Sequence, residues 1–127
     1  RAAAAAAGRT PEVVLMRDAW VGDGLNDAAR VYGPEVMEAY KYYWHNGATA
    51  FQDIESEEAF QFENMWKDRI IAGSPDECVA EFRRWGEAVG TDYFLLRLRH
   101  AHSGGPPHKD IMRAIERFGC DVIPHLQ

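Results

Sequence analysis

The sequence predicts an α/β fold built on parallel strands, and three observations predict it. Tyr93-Phe94-Leu95-Leu96 is a nearly unbroken apolar run, too short for a helix and without alternation, as in a strand buried on both faces. Val13-Val14-Leu15-Met16 is a second such run. Helical periodicity fills the chain between and after them, and strands alternating with helices mean parallel β. Each run carries positive charge toward its C-terminal part: Arg17 in the first, Arg97 and Arg99 in the second, with His100 behind them. Parallel sheets bind ligands outside the carboxyl ends of their strands, so this charge marks the edge of a site.

Composition narrows the class. A chain of 127 residues is long enough for one domain with a core, and 46% apolar content favours folding over disorder. A net charge of −6 leaves no basic stripe to neutralise phosphates, which argues against nucleic acid and against an anionic membrane surface. No apolar run approaches ~20 residues, so no bilayer span is expected, and no charged-then-apolar leader opens the chain. Cys78 and Cys120 both fall at helical core positions and read as buried, reduced thiols of a cytoplasmic protein.

The elements follow in order. Ala2 to Ala7 reads as a helix end stopped by Gly8, or as positions entered as alanine without side-chain identity. Pro11 breaks it, and a strand is expected from about Glu12 to Trp20, closed by Gly22-Asp23-Gly24. A helix is expected over Asn26–Tyr32. Gly33-Pro34 joins it to another over Pro34–Trp44, which Asn46-Gly47 ends. On the second helix Val36, Tyr40 and Tyr43 share one face, a stripe that fits core or a subunit contact better than a cofactor box. Ala48–Ile54 reads as a loop, and Ser56 to Lys67 as a helix with Ala59, Phe62 and Trp66 inward and Glu57, Glu58 and Glu63 solvated.

Ile70-Ile71-Ala72-Gly73 reads as a lead into the strongest local signal, Ser74-Pro75-Asp76-Glu77, a complete helix start. Cys78, Phe82, Trp85 and Val89 then share one face, and Gly90 ends the helix. Its N-terminus lies at the amino end of the following strand, which argues against a phosphate site there. Ala101 to His108 reads as a Gly- and Pro-rich loop able to cover a site. Its histidines share no ligand spacing with a cysteine or carboxylate, so no metal is expected. A last helix over Lys109–Phe118 has Ile111, Ile115 and Phe118 inward, with Gly119 as its cap.

Three stretches then carry a family resemblance. They are Gly8-Arg9-Thr10-Pro11 with Val14 to Val21, Asp68 to Glu77, and Phe94 to Leu98 with Ile115 to Leu126. In order and spacing the chain resembles the C-terminal portion of the bacterial luciferase-like monooxygenases, the flavin-dependent TIM-barrel oxidoreductases. The resemblance implies the last two strands of a (β/α)8 TIM barrel with their helices, an incomplete barrel over residues 1–127. It implies an oxidoreductase that uses reduced flavin, FMN, and O2 on a small organic substrate, with a deazaflavin coenzyme as the alternative. It also implies a homodimer. Arg17 and Arg97 match arginines on the family's last two strands and are expected to face the flavin or substrate pocket, with Trp20 and His100 at its rim; the alternative for the arginines is a structural pairing with Asp18, Asp92 or a glutamate. The first six units of such a barrel would hold most of the flavin, so this chain alone is expected to bind none and to be inactive. A non-catalytic module of the same fold, pairing with itself or with a separate N-terminal partner, is the alternative.

Overall fold

The computed structural model describes residues 1–126. Its centre is an open sheet of three parallel strands, β1 (Val14–Val21), β2 (Ile70–Gly73) and β3 (Tyr93–Arg97), in the order β2-β1-β3. Six α-helices accompany it: α1 (Ala2–Ala6), α2 (Leu25–Val31), α3 (Gly33–His45), α4 (Phe62–Met65), α5 (Pro75–Val89) and α6 (His108–Arg117).

This corrects the expected TIM-barrel architecture. The molecule is a small mixed α/β domain whose three-stranded parallel sheet is open at both edges, and the described residues form no barrel. The physical reason lies in Ile70–Gly73, expected to be a lead into the next helix. It is wholly buried and pairs with the carboxyl half of β1, from Asp18↔Ile70 to Val21↔Gly73, so it occupies that edge itself.

β3 pairs with the other half of β1, from Val14↔Tyr93 to Asp18↔Arg97. Side chains alternate across the sheet, so the two faces differ. On one, Phe94 meets Phe82 of α5 edge-on and Phe82 meets Phe118 beyond α6. On the other, Trp20 stacks on Tyr32 at 5.2 Å, and α3 lays Tyr40 against Asp18. α3 covers only the carboxyl half of that face. Val14, Met16, Tyr93 and Leu95 on the amino half are 47–57% exposed. The strand around Tyr93 is therefore not buried on both faces as its apolar run suggested.

The helix signals hold where they are local. Ser74 accepts from the backbone N–H of Glu77, whose carboxylate accepts from the N–H of Ser74, closing the capping box. Gly90 ends α5 at φ +67°, a left-handed value that glycine adopts without penalty. Four expectations fail. Ser56–Lys67 is not one helix but a 3-10 turn at Glu57–Ala59 and the single turn of α4, because Phe60 and Phe62 both turn into the core. Beyond α6 the backbone widens into a π-turn over Phe118–Val122, so Gly119 caps nothing. That turn leaves Cys120 exposed, and Ile115 is 49% exposed while Ala114 takes the inward place.

Candidate functional site

The sheet face under α3 carries a polar cluster built around Asp18, which is 4% exposed. Strand alternation and the Asp18↔Arg97 register set these two side chains next to each other on that face. Arg97 grips the carboxylate with both arms, Nε to Oδ1 at 2.6 Å and Nη2 to Oδ2 at 3.1 Å. Tyr40, one turn from Val36 on the buried side of α3, donates its hydroxyl to Oδ2 at 2.6 Å. His100 Nε2 lies 3.2 Å from Oδ1 and 3.2 Å from the Tyr32 hydroxyl. Tyr32 donates to the carbonyl of Arg97 at 3.0 Å.

The proton positions follow from this network. An ionised carboxylate only accepts and the Tyr32 proton is directed to a carbonyl, so His100 Nε2 bears a hydrogen. Its Nδ1 is buried and has no hydrogen-bond partner among the described residues. Burial pushes the Asp18 carboxyl upward, but the contacts from His100, Arg97 and Tyr40 outweigh it and hold the group at about 2. The same ion pair holds the Arg97 guanidinium above its ordinary value. Burial, helped by the Asp18 charge, raises the Tyr40 hydroxyl far above the ordinary range, so it stays protonated and donates.

Beside the cluster a cavity of about 330 Å³ opens at the free edge of β1, ahead of β2. Arg17, Arg69, Arg97, Tyr43, Phe51 and Met16 line it, with Asp18 and Asp68 at its base and rim. Arg69 lies over the Phe51 ring at 5.1 Å and donates Nη1 to the carbonyl of Ala50. The Tyr43 hydroxyl receives Arg97 Nη1 at 3.4 Å and keeps its own proton free to donate.

The four residues singled out from sequence separate. Arg97 stands at the centre of the cluster and is part-exposed, 30% by side chain. Arg17 lies on the other face of the sheet, its guanidinium 3.9 Å above the ring of Trp85, and reaches the cavity only around the strand edge. Trp20 is 3% exposed, packs in the core against Tyr32, and borders a different cavity, with Asp23, Arg113 and Arg117. His100 is buried behind Asp18, and the loop after it is pinned to α3, where His102 stacks on Tyr42 at 3.7 Å. These four do not form a cradle for an isoalloxazine ring. Sequence reasoning gave Tyr40, Tyr43 and Arg69 no place in the site, and met Asp18 only as a structural ion-pair partner for the strand arginines, which it is for Arg97. The tyrosines did signal themselves as a stripe, but their hydroxyls become functional only once α3 lies on the sheet.

Among the described residues no helix is long and apolar enough to cross a membrane. No trio of His, Cys, Asp or Glu stands there where it could hold a metal ion. No protein-family model matches the chain, and no curated protein matches it. Fold and site together define a small α/β domain with a parallel sheet and a charged cluster at its carboxyl half.

Proposed function

We propose that the chain is part of a flavin-dependent oxidoreductase of the luciferase-like type. It uses reduced flavin and O2 to oxygenate a small organic substrate, with FMN as cofactor or a deazaflavin coenzyme in its place, in a cytoplasmic homodimer. The three sequence stretches support this reading. The structural observation that supports it best is the Asp18–Arg97 pair at the carboxyl half of a parallel sheet, directly beside the bare strip Val14, Met16, Tyr93 and Leu95. Further polypeptide covering that strip would enclose Arg97 in a site, and would carry the flavin ring that these residues do not cradle. When bound, the flavin supplies the electrons and activates oxygen. This chain contributes a guanidinium fixed by Asp18, ready to hold an anionic group, and a Tyr43 hydroxyl beside it.

Anaerobic titration with photoreduced FMN of the polypeptide carrying these residues, followed by oxygen-uptake measurement, tests the proposal. Saturable flavin binding and an oxygen uptake lowered by roughly 100-fold in Arg97→Gln are expected, as for loss of one charge-stabilising donor. No flavin binding and no uptake would overturn it. A second reading, a module that pairs with itself without catalysis, is favoured by the bare strip and the open sheet edges. Reversible dimerisation unaffected by flavin would select it.

A further inference from the structure

We propose that the cavity at the free edge of β1 binds the carboxylate of a small aromatic acid, with Arg69 as its principal anchor. The inference goes beyond the oxidoreductase reading and is tested without flavin.

Charge carries the first part of the argument. Of the carboxylates at this cavity, Asp18 is taken by Arg97 and Asp68 by Arg84 at 2.9 Å. Arg17 and Arg69 have no carboxylate within ion-pair distance among the described residues. Arg69 therefore stands uncompensated in the cavity, and Arg17 adds positive charge from around the strand edge. Arg17 is partly desolvated as well: burial lowers its pKa, and its buried Nε has no hydrogen-bond partner. An anion entering here meets positive charge that the protein itself has not neutralised.

Preorganisation carries the second. Arg69 lies over Phe51 and is tied by Nη1 to the Ala50 carbonyl, so Nε and Nη2 remain as donors without an acceptor among the described residues. A guanidinium already fixed in this way loses little entropy on gripping a carboxylate. The Tyr43 hydroxyl adds a further donor. Shape carries the third. The remaining lining is Met16, Tyr40, Ala48, Ala50 and Phe51, a largely apolar surface, and about 330 Å³ accommodates one or two rings. A bare inorganic anion would leave that surface uncovered.

The test is calorimetric titration of the purified chain with benzoate, benzamide and inorganic phosphate. Benzoate is expected to saturate below ~10 mM, with benzamide and phosphate at least ~10-fold weaker. Arg69→Gln should weaken benzoate by ~10-fold or more, while Arg113→Gln, an arginine of a different surface, should leave it unchanged. Circular dichroism of each variant checks folding. If Arg69→Gln fails to fold, the benzoate–benzamide ratio on the wild type decides the matter. No saturation by benzoate, equal binding of benzamide, equal binding of phosphate, or a folded Arg69→Gln with undiminished affinity would each overturn the proposal. None of these outcomes bears on flavin binding, so the two readings fail separately.

Discussion

Asp18 is the residue on which both stability and site geometry turn. Its carboxyl, 3.8 in an ordinary setting, is held at about 2 in the fold. A group whose folded pKa is depressed contributes stability above its unfolded value and loses it as pH falls through the folded one. Denaturant titrations should therefore show stability dropping by about 2 kcal/mol between roughly pH 4 and pH 2 from this group. Asp18→Asn should flatten that part of the profile and cost about 2 kcal/mol at pH 7, because Arg97 loses a charged partner. Trp20→Ala should cost about 3–5 kcal/mol by emptying the core beside Tyr32, yet leave benzoate affinity in the surviving folded fraction unchanged. At this scale the sequence was partly legible. A charge arriving at the end of an apolar run drew notice to Arg97, which the fold sets against Asp18. One step along the strand puts Arg17 on the other face, from which it reaches the cavity around the edge. For His100, only the fold shows a histidine in a Gly/Pro-rich neighbourhood lying behind a buried carboxylate.

Elements defined by local chemistry were the legible ones. The capping box of α5 needs only four consecutive residues, and it forms as read. Ser74→Ala should cost about 1 kcal/mol in a thermal or urea melt, the usual worth of an N-cap. Elements defined by distant partners were not legible. Ile70–Gly73 has four residues and no alternation, and becomes a strand only because β1 offers it an edge. The segment from Ser56 to Lys67 has helical spacing, but burying Phe60 and Phe62 together breaks it into two turns. Tertiary burial outweighed periodicity in both cases.

For the whole molecule, the strip of Val14, Met16, Tyr93 and Leu95 on an open-edged sheet is the dominant surface feature. Sedimentation velocity of the isolated chain should show association that increases with concentration. Met16→Lys with Leu95→Lys should abolish it while changing stability by no more than about 0.5 kcal/mol per site, since both side chains are half in water already. Fold class was legible as α/β with parallel strands. The family resemblance extended that to a closed architecture, which the open three-stranded sheet does not have.

β1 is held by β3 along one half and by β2 along the other, and Asp18 is the single register position shared by both pairings. The strand therefore works as a lap joint. Amide-exchange protection should peak at Asp18 and its neighbours and fall away in both directions. The two halves should open as separate units, Val14 to Arg17 exchanging together with β3, and Ala19 to Val21 with β2.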